Sequence, residues 1–439
     1  MCREKLPPVS VPVSMSFLAP PAGPKDPTPP SPDAPKPPGR LSPRSRKLLA
    51  VAVVSTLVAV GIWALIPDPT PAWDGGRWGP DTVLDTGGRE FWAPLVAEFQ
   101  GMLYLVNPVL SSGNFTEHGI EPGARYDVLF RTFDGTRLTP SRNVSDFMDQ
   151  SSEAASGILV FDERLFVVTT RLSPDATGWT SSSIELYSFN GASWTQHPPV
   201  RALTPGSGAP AYAALVEFEG QLWAAWQEPE DTGNGAFHAR AFSNGIWADP
   251  VPVALAGVQP QALHFLARPD GIWVSWFSNG TIAAANQGIY LGRFNGSAVD
   301  LDSRLSSGDT PAQQPHSLSA FGPSIAVFWQ AGRDILSTFV TDGVSSAPLR
   351  VTKGHWPSTV VYKDRLYLTL VVGIAFPSGM TEWAVQAFDG TQWGPPFVWK
   401  TSRYTFELPG PFTFQGKLYE HWIDGSPGAW VAHLRAYER

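Results

Sequence analysis

Alternating apolar and polar residues recur along the chain in seven short segments, and each segment predicts a pair of antiparallel strands. In each, an apolar strand leads into a tight polar turn and then into a strand rich in Leu, Ile and aromatic residues. The first Leu or Ile after each turn, called the pivot residue below, is Leu103, Leu165, Leu222, Ile272, Ile325, Leu366 or Leu418. Their spacing predicts a structural repeat of about fifty residues.

A second pattern lies between successive pivot residues and predicts another hairpin in each repeat. An aromatic residue is followed closely by Asp-Gly or Asn-Gly in motifs that begin at Phe133, Phe189, Phe242, Phe294, Phe339 and Phe388. Asp-Gly and Asn-Gly pairs supply the positive φ angles that two-residue hairpin turns require. Each repeat is therefore predicted to hold four antiparallel strands, which is the strand count of a propeller blade.

The two ends of this repeat region carry almost the same nonapeptide. WDGGRWGPD occupies residues 73–81 and FDGTQWGPP occupies residues 388–396, and each begins 30 residues before the next pivot residue. The first copy is thus predicted to be a fourth strand that lacks its three predecessors, whereas the last repeat stops after Tyr437 without a fourth strand. We expect the N-terminal strand to complete the last blade, because closing the ring removes open sheet edges.

Over residues 73–439 these repeats resemble the β-propeller superfamily. The placement of DGTQW is similar to the Asp-box of sialidase-like propellers, although that box separates its Asp and Gly by one residue and Asp389 and Gly390 are adjacent. The paired glycines of kelch blades and the GH…WD signature are absent. The fold class predicted is an all-β, seven-bladed propeller of four-stranded antiparallel blades. Six blades are the alternative, if the weak repeat at 321–352 is an insertion.

An uninterrupted apolar run at residues 48–66 predicts one transmembrane helix. It holds nineteen residues without a charge, and a helix of this length spans about 28 Å, close to the thickness of a bilayer core. Basic residues precede the run and none follows it before Arg77, so the N-terminus is predicted to be cytoplasmic and the rest of the chain outside the cell membrane. A cleaved signal peptide is the alternative, disfavoured by the long preceding region.

Composition divides the chain into three predicted regions: a proline-rich cytoplasmic tail (1–47), the signal-anchor helix (48–66) and an extracytoplasmic propeller domain (67–439). The tail holds fourteen prolines and a charge of +5, which predicts disorder and either an extended spacer or a ligand for a proline-binding domain. The remainder carries a charge of −13, which argues against a nucleic-acid partner. Cys2 is the only cysteine, so the propeller has no cysteine nucleophile and no disulfide.

The strand alternation assigns the connections to two opposite faces of the disc. The first-to-second and third-to-fourth turns are short and define what we call the tight-turn face. The second-to-third and fourth-to-first connections are longer, as in RLSPDATGWTSSS at 171–183, and define the loop face. Because long loops on a rigid scaffold carry function, we expect any binding or catalysis at the loop face.

Loops that enter the innermost strands are predicted to bring aromatic and polar side chains to the mouth of the central channel, which suits a carbohydrate or peptide ligand. The ligand-binding candidates are Arg89, Trp92, Asp149, His264, His316, His355, Trp356, Arg403 and Tyr404. Paired carboxylates cleave glycosides, and the weak candidates for such a pair are Glu90, Glu153 and Glu407. Three arginines at one repeat position, expected to be solvent-facing scaffold, are Arg131, Arg240 and Arg293.

Other chemistry in the sequence is sparse. Four N-x-S/T sequons are candidate glycosylation sites: Asn114, Asn143, Asn279 and Asn295. No cofactor and no metal ligand set is predicted. The acidic loops EPED (228–231) and DLD (300–302) are the candidates for calcium, although they lack EF-hand spacing.

These features together predict a membrane-anchored propeller that recognises a glycan or an extracellular protein through its loop face. One alternative is a sialidase-like or other glycan-processing hydrolase that uses the same face. A second is a structural or assembly component of a cell-envelope complex. Propellers serve all three roles, so the fold does not decide between them.

Overall fold

The chain divides into two units, Met1–Asp68 and Pro69–Arg439, and a computed structural model describes most of the second. The described residues are 77–84, 94–112, 115–116, 119–120, 125–144, 152–175, 178–202, 213–228, 236–253, 260–278, 287–306, 312–375, 380–402, 410–426 and 429–438. The predicted tail and transmembrane helix lie outside them. Within the described part there is no helix, and hence none long and apolar enough to cross a bilayer.

The described residues form strands joined by turns. In chain order these are β1 Arg77–Trp78, β2 Thr82–Leu84, β3 Leu95–Phe99, β4 Met102–Ser112, β5 Phe115–Thr116, β6 Gly119–Ile120, β7 Arg125–Phe133, β8 Arg142–Asn143, β9 Ser152–Phe161, β10 Arg164–Asp175, β11 Gly178–Phe189, β12 Trp194–Gln196, β13 Arg201–Ala202, β14 Ala213–Phe218, β15 Gln221–Glu228, β16 Ala236–Ser243, β17 Ile246–Trp247, β18 Val251–Val253, β19 Pro260–Arg268, β20 Gly271–Ser278, β21 Gly288–Phe294, β22 Val299–Arg304, β23 Ala312–Phe321, β24 Ser324–Ala331, β25 Asp334–Thr341, β26 Val344–Ser345, β27 Leu349–Lys353, β28 His355–Tyr362, β29 Arg365–Ala375, β30 Met380–Phe388, β31 Phe397–Ser402, β32 Gly410–Phe414, β33 Lys417–Ser426 and β34 Ala429–Glu438.

These strands build a seven-bladed propeller, as the repeats predict. Each blade is an antiparallel sheet with four strand positions: β3-β4-β7-β8 form blade 1, β9 to β13 blade 2, β14 to β18 blade 3, β19 to β22 blade 4, β23 to β27 blade 5, β28 to β31 blade 6, and β32 to β34 with β1 and β2 blade 7. Two short strands share the fourth position in blades 2, 3, 5 and 7. The weak fifth repeat is a complete blade, so the six-blade alternative is wrong.

The N-terminal strand closes the ring at blade 7, as predicted. Trp78 pairs with Tyr437, and β2 pairs with the same strand β34 further along. The two nonapeptides make equivalent contacts. Gly79 N–H donates to Ala436 O at 2.8 Å, and Gly394 N–H donates to Ala387 O at 2.8 Å. The described part of the first nonapeptide, residues 77–81, therefore lies against the third strand of blade 7 as its counterpart lies against the third strand of blade 6.

The core consists of apolar clusters between neighbouring blades. Each pivot residue and the residues two and four positions beyond it face the preceding blade, since side chains alternate along a strand. In blade 3, for example, Leu222, Ala224 and Trp226 pack against Phe166 and Val168 of blade 2. These side chains are almost wholly buried, so the regular part of every second strand is fixed by packing rather than by function.

In blade 5 the aromatic residue predicted to precede the Asp-Gly turn does not lie opposite the pivot residue. The other pivot residues pair with the expected aromatic residue, as Leu366 does with Phe388. In blade 5, Ile325 pairs with Val340, whereas Phe339 pairs with Ala326. The assignment of Phe339 to the motif is wrong by one residue, because the turn that follows is only two residues long and sets the register.

The Asp-Gly and Asn-Gly pairs make two different turns, where a single type was predicted. Asp342 (φ 50°) and Gly343 (φ 77°) both have positive φ in a two-residue turn. In four blades only the glycine has positive φ, and the turn is four residues long, as between Phe388 and Trp393. A Ser, Thr or Ala after the glycine distinguishes these longer turns in the sequence.

The loop face is less uniform than the sequence predicts. The segment 171–183 is largely strand, because Asp175 of β10 pairs with Gly178 of β11 across a two-residue connection. The second-to-third connections are equally short in blade 5, where Ala331 pairs with Asp334, and in blade 7. Continued strand pairing gives hydrogen-bond partners to backbone groups that a long loop would leave to solvent. The connections on the loop face are therefore short in these three blades.

Candidate functional site

The innermost strands of four blades contain a β-bulge at the same height. In blades 2, 4, 5 and 6 the register of the first strand against the second shifts three to five residues beyond the pivot residue. Neighbouring innermost strands contact one another around the axis of the ring. Because bulges redirect side chains and recur beside functional sites, this level of the channel is the candidate functional site.

Two predicted ligand-binding residues meet at this level. His264 follows the bulge of β19, and His316 follows the bulge of β23. Their rings contact edge to face with centroids 4.5 Å apart. His316 Nε2 lies 3.0 Å from Ser275 Oγ of blade 4, while its Nδ1 is buried and has no hydrogen-bond partner among the described residues. The pair therefore contains an enclosed imidazole nitrogen that no described residue hydrogen-bonds.

Burial keeps both imidazoles neutral. It lowers the pKa of His264 from 6.5 to about 4. It lowers the pKa of His316 still further below 6.5, with an added contribution from His264. A neutral imidazole both donates and accepts hydrogen bonds, so the pair suits hydroxyl or amide groups better than a charged group.

Two further ligand-binding candidates flank the bulge of blade 6. Trp356 adopts a left-handed backbone conformation, with φ 58°. Its backbone N–H donates to Gln330 Oε1 of blade 5 at 3.4 Å. The indole packs against the core cluster that holds Trp383 and Val371. His355 is half-buried, and burial together with the nearby Arg333 lowers its pKa. Trp356 thus contributes to the packing between blades 6 and 7.

A buried carboxyl group that the sequence analysis did not single out lies on β33 of blade 7. Glu420 is 0% exposed, and its Oε2 accepts a hydrogen bond from Thr369 Oγ1 of blade 6 at 3.0 Å. Its Oε1 has no partner among the described residues. Burial raises the pKa of this carboxyl well above 4.5. The sequence contains one signal of this. Glu420 lies two positions after the pivot residue Leu418, and the other six repeats have an apolar residue at that position.

Beside it, His421 points to the opposite face of the blade. It is buried, and burial lowers its pKa to about 4. Its ring lies against Gly410 at the start of β32, so closely that a Cβ on Gly410 would overlap the ring. Glycine is therefore required at this position to admit the imidazole.

The three third-strand arginines do not share one position. Arg131 and Arg240 pair with the residue two beyond the pivot residue, whereas Arg293 pairs with Trp273, one beyond Ile272. Arg240 donates to the carbonyl oxygens of Ala248 and Val200 and lies over the Trp247 ring. Arg293 forms an ion pair with Asp270. Arg131 is only 2% exposed, so the expectation that it faces solvent is wrong.

Several sequence-predicted residues lie outside the described part of the chain, namely Arg89, Glu90, Trp92, Asn114, Asp149, Asn279, Arg403, Tyr404 and Glu407. Glu153 lies on β9, where its backbone pairs with Arg171. Asn143 lies in β8. Asn295 is exposed in a turn, and its Oδ1 accepts hydrogen bonds from Ser297.

The structure describes only part of the two acidic segments that were the candidates for calcium. Residues 300–302 belong to strand β22, so DLD is not a loop, and residues 229–231 lie outside the described part. No group of three or more potential metal ligands occurs among the residues that the structure describes.

Comparison with known proteins gives alignments to solved structures but no match in sequence. No protein-family model and no curated protein matches it. A phage phi92 endosialidase aligns with a TM-score of 0.47 and 11% identity over 82% of this chain and 68% of its own. A sialidase from Trypanosoma rangeli gives 0.45 and 9% over 84% and 57%. A GH43_1 enzyme from Xanthomonas citri gives 0.36 and 13% over 65% and 87%. At these identities and TM-scores the alignments assign no function to this chain.

Proposed function

We propose that the chain is a membrane-anchored extracytoplasmic propeller that recognises a glycan or an extracellular protein at the loop-face end of its channel. In this proposal residues 48–66 hold the protein in the cell membrane with the N-terminus in the cytoplasm. The propeller then presents its binding face outside. No nucleic acid and no cofactor takes part.

The observation that carries the proposal is the contact between His264 and His316 at the level of the bulges. Both rings are neutral, and His316 Nδ1 has no hydrogen-bond partner within the described structure. A buried polar atom that lacks a partner costs about 1–3 kcal/mol. Because His316 Nδ1 is enclosed by protein, a ligand hydroxyl or amide recovers that cost only by displacing the side chains around this nitrogen.

A combined glycan-binding and hydrolysis screen tests the proposal. The purified unit of residues 69–439 and the full chain in detergent are both applied to a glycan array and to glycoside substrates. Binding without turnover supports recognition. Turnover supports the hydrolase alternative instead. If neither protein binds or cleaves any glycan, glycan recognition and the hydrolase alternative are both contradicted, and an extracellular-protein ligand or the assembly alternative replaces them.

Matched histidine variants locate the site once a ligand is found. His264→Phe and His316→Phe keep an aromatic ring but remove the hydrogen-bonding nitrogens, and we expect roughly tenfold weaker binding from each. His197→Phe is the control, because His197 stacks on Phe166 outside the innermost strands. Equal affinity of all three variants would place the binding site elsewhere.

A further inference from the structure

The tight-turn end of the channel contains two hollows that the proposed function does not use. The larger, about 640 Å³, lies between the innermost strands of blades 2, 3 and 4, and its apolar wall includes Leu159, Leu215 and Phe265. The smaller, about 350 Å³, lies between blades 6, 7 and 1 and is bordered by Glu98. Both open beside the first-to-second turns, so this end of the channel is accessible to a ligand.

Free carboxylates border these hollows. Glu98 and Glu217 hold equivalent places in blades 1 and 3, each one residue before the aromatic residue that precedes the turn. Both are exposed, as is Glu219 in the turn of blade 3. None of the three forms a hydrogen bond or an ion pair with a described residue. Their negative charge is therefore available to an incoming cation.

The basic side chains that line the hollows are engaged elsewhere. Arg268 donates to the carbonyl oxygens of Ser324 and Pro323, both at 3.1 Å, and so ties blade 4 to blade 5. Lys363 Nζ lies 4.9 Å above the centroid of the Tyr362 ring. Neither cation forms an ion pair with Glu98 or Glu217. The larger hollow sets two carboxylates against one guanidinium and so carries an excess of negative charge, whereas the smaller hollow has one carboxylate and one ammonium.

We propose that the tight-turn end of the channel docks a peptide segment of a partner protein in which basic side chains alternate with large apolar ones. The apolar side chain enters the larger hollow against Leu215 and Phe265. The basic side chains approach Glu217 and Glu98. Charge complementarity selects this chemistry, because an acidic peptide would meet the carboxylates with like charge.

Labelled peptides test this docking site on the full chain in a non-ionic detergent. The probe is a fluorescent hexapeptide of alternating Lys and Leu, and its binding is followed by fluorescence anisotropy against empty micelles. Peptides of alternating Glu and Leu and of alternating Lys and Ser serve as comparisons. We expect the Lys-Leu peptide to bind, the other two to bind much more weakly, and rising salt to weaken the complex.

Charge variants then locate the site. The double variant Glu98→Gln/Glu217→Gln should bind the Lys-Leu peptide roughly fivefold more weakly, since exposed ion pairs each contribute modestly. Asp342→Asn is the control, because Asp342 is exposed in an outer turn of the same face. Absence of binding, or an equal loss in both variants, overturns the proposal. Glycan binding at the loop-face end should be unchanged in the double variant, which separates the two sites.

Discussion

Glu420 occupies an interior position that is apolar in the other six blades. Two positions beyond the pivot residue, the other six blades carry Leu105, Val167, Ala224, Val274, Val327 and Leu368, all wholly buried. A carboxyl group in this place must stay protonated, because an isolated charge in an apolar interface is far costlier than a neutral acid. Its hydrogen bond with Thr369 satisfies only one of its oxygens. The stability of the blade 6–blade 7 contact should therefore depend on pH.

The variant Glu420→Gln tests this dependence. The raised pKa means that the folded state keeps a proton that the unfolded state releases above about pH 4.5. Wild-type stability therefore falls as pH rises from that value toward the folded-state pKa, by at most about 1.4 kcal/mol per pH unit. Glutamine keeps an acceptor for Thr369 and does not titrate, so its advantage over wild type should grow with pH.

Urea unfolding at about pH 5 and about pH 8 measures the difference between variant and wild type. Taking the difference cancels the contributions of the buried histidines, which are common to both proteins. Glu382→Gln is the control, because Glu382 is exposed on β30. A gap between Glu420→Gln and wild type that is the same at both pH values would contradict the assignment of a protonated carboxyl.

At the scale of single elements, a side-chain oxygen of the first turn residue accepts backbone hydrogen bonds in the four-residue turns. Asp389 Oδ1 accepts hydrogen bonds from Thr391 N at 2.8 Å, Thr391 Oγ1 at 2.7 Å and Gln392 N at 2.9 Å. The bonds from Gln392 and Thr391 lower the pKa of Asp389 to about 2. Asn190 holds the equivalent turn of blade 2 through Ala192 and Ser193. The turn thus needs a side-chain oxygen but not a charge.

Paired substitutions at Asp389 separate the oxygen from the charge. Asp389→Ala removes all three hydrogen bonds and should lower the melting temperature by a degree or two, on the order expected for one surface turn in a domain of this size. Asp389→Asn keeps the acceptor and should melt like wild type, as the natural Asn190 turn indicates. Scanning calorimetry of both variants decides the matter, and equal melting of Asp389→Ala and wild type would show that the turn is held by other contacts.

At the scale of the whole molecule, the seam of the ring depends on a short N-terminal segment. Trp78 packs on Trp399 and Tyr437, with ring centroids 5.4 Å and 5.1 Å away. Asp81 forms ion pairs with Lys400 of blade 6 and Arg435 of blade 7. The segment therefore completes blade 7 and also joins it to blade 6.

Deletion of residues 73–85 should open this seam. The outer edge of β34 would lose its partner strands, and an unpaired edge promotes association between chains. We expect a lower melting temperature and self-association, measured by thermal unfolding and by light scattering after gel filtration. Asp81→Asn, which removes only the ion pairs, should remain monomeric. A deleted chain that melts like the full chain and stays monomeric would refute closure by this strand.

Most of the fold could be predicted from the sequence because strand and turn signals are local. Pivot residues such as Leu103 recur with a period, and a tight turn precedes each one, so spacing alone favoured seven blades over six and predicted the strand that closes the ring. The position of Phe339 was wrong because register depends on turn length, which differs between Asp342–Gly343 and Asp389–Gly390. The polar composition of segment 171–183 predicts a loop, because composition does not reveal the pairing across the hairpin.

The candidate site could be predicted only in part. His264 and His316 were both named, but the sequence could not indicate that they touch, because 52 residues separate them. Glu420 was missed because a lone glutamate between apolar residues is usually solvent-facing. The β-bulges that position these histidines are not marked by any characteristic residue type in the sequence.

The sequence by itself determined the repeat, the four-strand blade and the closure of the ring by the N-terminal strand, and it favoured seven blades over six, since periodicity and turn chemistry act over a few residues. Only the tertiary structure decided which side chains from different blades meet, namely His264 with His316 and Thr369 with Glu420. It also decided that the tight-turn end of the channel is hollow. The physical reason is that contacts between blades depend on how neighbouring sheets pack around the axis, which no single repeat encodes.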